Sequence, residues 1–182
     1  MAEIEAKSAI IIPFVEVDDV VDAWRKLLDP AQVRGIPAHV TVLFPFVHPK
    51  ELSTEILDIL DAHFSRISTF NVVFDSTAWF EDRVVYLEPK PEQQFRTMAK
   101  QLLSVFPSCI PYGGKFADPI PHLTLGDGAP LESLLKAEED VRASFPIETQ
   151  AKEAWLMTGG MGPSSWSLRQ RFPFGDEPAR GT

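Results

Sequence analysis

Two stretches of this chain alternate apolar and polar residues over strand length and carry the same pattern. The first is Ala38-His-Val-Thr-Val-Leu-Phe-Pro-Phe46; the second is Pro121-His-Leu-Thr-Leu-Gly126, with its histidine 83 residues after the first. Period two is the mark of a half-buried β-strand, because successive side chains point to opposite faces. His39 and Thr41 therefore share one face and Val40, Val42 and Phe44 the other, while His122 and Thr124 oppose Leu123 and Leu125. A single copy means no more than an amphipathic strand with a wet face. The pair says more, since by chance a His is followed two places later by Thr about one time in twenty.

With 182 residues, 45% of them hydrophobic, the chain has material for one sizeable core. No apolar run approaches bilayer length. The acidic start Met-Ala-Glu-Ile-Glu lacks the basic flank of a signal peptide, so a cytoplasmic protein is expected. The one cysteine, Cys109, has no internal partner for a disulfide, which suits a reducing compartment; it reads as a small buried apolar residue. A formal charge of −9 disfavours binding along long duplex nucleic acid but leaves room for one phosphate held locally.

In chain order, residues 8–15 read as a strand buried on both faces. Residues 18–28 read as a helix with Val20, Val21, Trp24, Leu27 and Leu28 on its apolar stripe, and residues 31–37 as a loop into the first His-x-Thr strand. Residues 50–64 form a second helix, with His63 near its last turn and His48 in the loop before it. Residues 69–77 and 83–88 form two strands of a hairpin, and residues 92–106 a third helix through Phe95, Met98, Leu102, Leu103 and Phe106. A turn-rich loop, 111–119, precedes the second His-x-Thr strand. A fourth helix spans 131–143, closing strands span 145–157 and 166–172, and the polar tail 176–182 reads as loose. The order nearly repeats itself, so residues 1–175 are expected to form one α+β domain of two pseudo-symmetric units, about 8–78 and 79–174.

The segments His39-Val-Thr-Val42 and His122-Leu-Thr-Leu125, about eighty residues apart, resemble the paired motifs of the two-histidine (2H) phosphoesterase superfamily. That superfamily includes the 2′-5′ RNA ligase-like cyclic phosphodiesterases, and the resemblance runs from about Ser8 to Phe174. It implies a bilobal fold, two units of antiparallel sheet plus helices around a central cleft. It also implies hydrolysis of a 2′,3′-cyclic phosphodiester or reversible 2′-5′ ligation of RNA ends. Many relatives carry a basic residue where this chain has Asp127.

The residues suit that chemistry. Opening a cyclic phosphate requires a base for the attacking oxygen and an acid for the leaving ribose oxygen, and two imidazoles divide that labour. Thr41 and Thr124 would donate hydrogen bonds to non-bridging phosphate oxygens. Which histidine is acid and which base stays open. Tyr112, Lys115 and Phe116 in the glycine-rich loop, with Phe46 after the first motif, are candidates to contact substrate. Aromatic rings stack on bases, and a lysine neutralises phosphate. Neither motif shows a metal-ligand set, so no metal or cofactor is expected. The expected partner is a small nucleotide or RNA end bearing a cyclic phosphate, bound by a monomer with no membrane. The acidic chain favours hydrolysis over aligning two RNA strands, and a non-catalytic nucleotide-binding module is the alternative.

Overall fold

Ile10, Ile11 and Ile12 sit in a run of β-branched residues that has too little polar surface to face water on either side. The chain buries it as an inner strand. In the computed structural model, which describes residues 6–115 and 118–175, that strand is β1 (Lys7–Pro13), followed by α1 (Val15–Leu28), the short α2 (Pro30–Val33) and β2 (His39–Leu43). A 3₁₀ turn and α3 (Thr54–Phe64) lead to β3 (Phe70–Phe80), β4 (Val84–Lys90) and α4 (Glu92–Val105). A second 3₁₀ turn (Pro111–Gly114) precedes β5 (Leu123–Asp127), α5 (Leu131–Arg142), β6 (Ile147–Ala151), β7 (Glu153–Gly159) and β8 (Ser167–Pro173). The tail 176–182 lies outside the described residues.

The architecture is α+β, as expected, with two four-stranded antiparallel sheets in the orders β2-β1-β7-β8 and β5-β4-β3-β6. The two orders have a feature in common. Strand–helix–strand β1-α1-β2 corresponds to β4-α4-β5, and each His-x-Thr strand is the outer strand of its own sheet. The third strand of each sheet is borrowed from the other half, since β3 pairs with β4 and β7 pairs with β1. The sheets therefore do not divide where the sequence halves do. The hairpin at Glu81–Arg83 carries β3 across into the second half's sheet.

One core spans both sheets. Ile10, Ile12 and Val40 from the first sheet and Val72, Phe74, Leu87, Leu123 and Leu125 from the second are all at 0% exposure in one cluster. Phe14 meets Phe74 edge-on at 5.3 Å and Phe95 at 6.3 Å, joining the strands to α4. Each fully buried Phe or Leu contributes about 2–3 kcal/mol of transfer free energy. This is the opposite face of β1 and β2 from the one that carries Ile11, Thr41 and His39.

Local differences from the sequence reading have physical reasons. Residues 31–37 begin with a helical turn because Asp29 caps it, its Oδ1 accepting from Ala31 N at 2.9 Å with Pro30 at the first position. The helix expected over 50–64 splits, and α3 starts only after Ser53, whose hydroxyl accepts from Ile56 N at 3.3 Å. The strand expected over 145–157 is two strands in different sheets, with Lys152 between them as the chain crosses from one lobe to the other. On α1 the buried stripe is Val17, Val21 and Arg25, while Leu27 is 75% exposed. An arginine thus occupies a core position. Gly126 lets β5 lie close under two helices, for a Cβ there would fall 2.5 Å from Leu134 Cδ2 and 3.0 Å from Leu28 Cβ.

Candidate active site

The two outer strands β2 and β5 touch, which brings the motifs from opposite halves of the chain together. His39 opens β2, whereas β5 begins only at Leu123, so His122 lies just before the strand to which the sequence pattern assigns it. Both rings are half-buried. A proton on His122 disfavours one on His39, so the two rings feel each other's charge.

The same tether recurs at each motif. His39 Nδ1 lies 2.7 Å from the carbonyl oxygen of Pro37, and His122 Nδ1 lies 2.6 Å from that of Ile120. In both cases the partner is the residue two places earlier. A carbonyl oxygen only accepts, so Nδ1 carries the hydrogen and Nε2 of the neutral ring is the proton acceptor. Burial pushes the His39 imidazolium down to about 3, helped by the positive charge of Arg25 and of His122 and opposed by the Pro37 carbonyl. Burial also lowers His122, but there the Ile120 carbonyl and the negative charge of Asp29 act in favour of the proton. The motifs are alike in geometry and unequal in charge.

That inequality comes from α1. Arg25, 1% exposed, donates from Nε and Nη2 to Asp29 Oδ2 at 3.0 and 2.9 Å, and from Nη2 to the Ile36 carbonyl at 3.2 Å. Its Nη1 reaches Asp18 Oδ1 at 3.5 Å, and the same oxygen accepts from Ala38 N at 3.0 Å. Asp29 is raised by burial, against the pull of Arg25 and the Ala31 N–H. Sequence reasoning missed this network. Its signal was Asp18 and Asp29 set two turns before and one turn after Arg25 along the helix.

Around His122 the second sheet supplies aromatic rings. Phe80 stands edge-on at 5.0 Å and Tyr86 is tilted at 5.3 Å, the two stacked on each other at 4.4 Å. Tyr86 pairs directly with Thr124 across β4 and β5, so the two side chains share a face. Neither ring was singled out from the sequence, because only the register shows which residues of the hairpin lie beside the motif.

Of the proposed substrate contacts, Tyr112 reaches the site. Its hydroxyl is hydrogen-bonded to Thr41, its ring is 6.2 Å from Phe44, and its N–H donates to the Phe44 carbonyl at 2.8 Å. A cleft beside Thr41 is bounded by Phe44, Phe95, Tyr112 and Ile120, with Arg96 and Lys100 at its edge. Lys115 is exposed at the end of the turn, and its N–H donates to the Tyr112 carbonyl at 3.4 Å. Phe46 turns the other way. It is 6% exposed and edge-on to Phe106 at 5.0 Å, in the same core cluster as Val40 and Val42. Phe116 lies outside the described residues. His48 Nδ1 accepts from Lys50 N at 3.2 Å and caps a turn, and His63 packs on Phe64. Cys109 is buried and unpaired. Among the described residues, no three His, Cys, Asp or Glu side chains converge as a metal site would require, and no helix is long and apolar enough to cross a membrane.

Comparison with known proteins places this geometry. No curated protein sequence matches the chain. Among solved structures, Escherichia coli LigT in apo form superposes with a TM-score of 0.61 at 19% identity, covering 94% of this chain and 99% of that one. The protein TT0787 of Thermus thermophilus gives a TM-score of 0.61 at 18% identity, covering 94% and 100%. LigT complexed with 3′-AMP gives 0.56 at 18%, covering 94% and 99%. At such identities the likeness concerns the fold. The model of the 2′-5′ RNA ligase superfamily matches residues 13–162, most of the chain including both histidine motifs, and the chain belongs to that superfamily.

Proposed function

We propose that this protein is a metal-independent phosphodiesterase that opens 2′,3′-cyclic phosphates of nucleotides or RNA ends. The observation that carries the reading is the matched pair of imidazoles on touching outer strands, each tied through Nδ1 to a backbone carbonyl and flanked by a threonine. Water attacks phosphorus, a new P–O bond forms, and the bond to one ribose oxygen breaks. One Nε2 takes the water's proton and the other ring gives a proton to the leaving oxygen; exchange with solvent restores both rings before the next turnover. Arg25 beside His39 makes that ring the acceptor, and Asp29 makes His122 the donor. Both rings are neutral in the free protein at neutral pH, so the phosphate's own negative charge restores the donor's proton as it enters. Thr41, held by Tyr112, and Thr124 donate to the non-bridging oxygens.

A small nucleotide is the favoured substrate. LigT, of the same fold, is described in complex with 3′-AMP, ATP, NADP+ and phosphate. The charge of −9 argues against aligning two RNA strands, so hydrolysis is preferred to ligation. The protein is expected to work as a monomer in the cytoplasm. The test is turnover of 2′,3′-cyclic nucleotides in the presence of a chelator, with His39→Ala and His122→Ala each losing at least about 10²-fold. If either folded variant keeps near-full turnover, the two-histidine mechanism fails. The second reading, a nucleotide-binding module, draws on the depressed protonation of both rings, and calorimetric binding without any product would establish it.

A further inference from the structure

The turns that lead into the two motifs are held in the same way from opposite halves of the chain. Arg25 on α1 donates to the carbonyl of Ile36, three residues before His39, at 3.2 Å. Arg96 on α4 donates to the carbonyl of Pro119, three residues before His122, at 3.3 Å. The next carbonyl along, Pro37 in one case and Ile120 in the other, is the one that receives the ring's Nδ1–H. Each arginine is itself held by carboxylates on both sides. Asp18 and Asp29 hold Arg25, while Glu92 and Asp118 hold Arg96, the Asp118 contact being 2.7 Å.

The helices α1 and α4 occupy equivalent places in the repeat, yet the arginines do not occupy equivalent places in the helices. Arg25 is the eleventh residue of α1 and Arg96 the fifth of α4. What is shared is the target, the carbonyl at the third position before the histidine. A guanidinium is suited to the task because its planar fork bonds a carbonyl and a carboxylate at once. A turn whose carbonyl is fixed at one residue has little freedom at the next, since one peptide plane and two dihedral angles separate them.

We propose that Arg25 and Arg96 are paired positioning residues. Each fixes the turn ahead of its motif so that the following carbonyl selects the Nδ1–H form of the histidine and leaves Nε2 aimed as the proton-transfer atom. The two differ in access. Arg25 is 1% exposed, and its hold is permanent while the protein is folded; Arg96 is 19% exposed, and its partner Asp118 is 70% exposed, so salt weakens that hold. The inference rests on the proposed proton transfer for its meaning, but its first test does not use substrate.

Long-range ¹H–¹⁵N spectra of uniformly labelled protein near pH 7.5 report which ring nitrogen carries hydrogen. In the wild type both rings are expected as Nδ1–H. In Arg96→Met, His122 shifts to a mixture of tautomers while His39 is unchanged; in Arg25→Met the reverse holds. Arg96→Lys, which keeps one donor, recovers part of the Nδ1–H signal. Turnover of a 2′,3′-cyclic nucleotide should fall about 10–100-fold in kcat in Arg96→Met with the helical circular dichroism intact. An unaltered His122 tautomer in folded Arg96→Met overturns the proposal. Arg96 lies near the surface, so this variant decides the matter even if Arg25→Met fails to fold. Wild-type protein inert toward every cyclic phosphate, with the tautomers responding as described, overturns the assigned reaction and leaves the positioning role standing.

Discussion

The ring of Phe80 meets the imidazole of His122 edge to face, with centroids 5.0 Å apart. The two residues come from different hairpin and loop segments, and their contact shields one side of the imidazole. Burial is the largest cause of His122's lowered affinity for a proton. Phe80→Ala admits water to that side and should move His122 back up towards the ordinary histidine value, with the Ile120 tether in place. A titration of the His122 ring protons by NMR checks this. An unchanged midpoint means that other groups do the desolvating.

Tyr112 is hydrogen-bonded to Thr41. The contact holds the Thr41 side chain at the edge of the cleft, where its hydroxyl can be turned to a phosphate oxygen. Tyr112→Phe removes one neutral hydrogen bond, worth about 0.5–1.5 kcal/mol, and kcat should fall by roughly 2- to 13-fold with little change in folding. Steady-state kinetics on a 2′,3′-cyclic nucleotide separates this from a pure loss of affinity, in which KM alone rises.

Acid should weaken the fold through His39. Its folded value is about 3, below the ordinary histidine value of about 6.5 that holds in the unfolded chain. The unfolded state therefore binds more protons between those limits. The stabilising contribution is full above about pH 6.5 and is lost as pH falls towards 3. Asp18 and Asp29, raised by burial, act in the opposite direction in acid. The difference in urea stability between wild type and His39→Gln isolates the histidine, and it should shrink steadily from pH 6.5 to pH 4.5. A difference independent of pH rejects the assignment.

Gly126 should not tolerate a side chain. A Cβ would sit 2.5 Å from Leu134 Cδ2 and 3.0 Å from Leu28 Cβ, so α1, α5 or β5 must move. Gly126→Ala should cost about 1–3 kcal/mol, seen as a fall in Tm of roughly 2–12 °C for a chain of this size. Because Gly126 lies two residues beyond Thr124 on β5, turnover should fall with it. Thermal melts and kinetics of the same preparation test both.

Much of the site was legible because its signal is local. Alternation around His39 and His122 requires only that each segment be a strand with one apolar face, and the apolar periodicity of α4 at Phe95, Met98 and Leu102 needs only a helix. Phe46 shows the limit of that reasoning, because nearness to a motif in sequence says nothing of direction, and the ring packs on Phe106 in the core. Arg25 shows another. Its position on the buried stripe of α1 is favourable because Asp18 and Asp29 of the same helix and its cap hold it, and because the Ile36 carbonyl reaches it once the loop after α1 folds back.

The amino-acid order alone determined that two strands would each offer an imidazole and a hydroxyl, since side-chain alternation is a property of the extended backbone. It also determined that the polar and apolar faces would separate. Tertiary structure alone decided that these strands become touching outer strands, because the borrowed β3 and β7 fill the inner positions of the opposite sheets. It also decided that the two histidines are unequal. Charge acts through space, and the Arg25–Asp29 pair distinguishes the rings only once folding has buried that pair beside them.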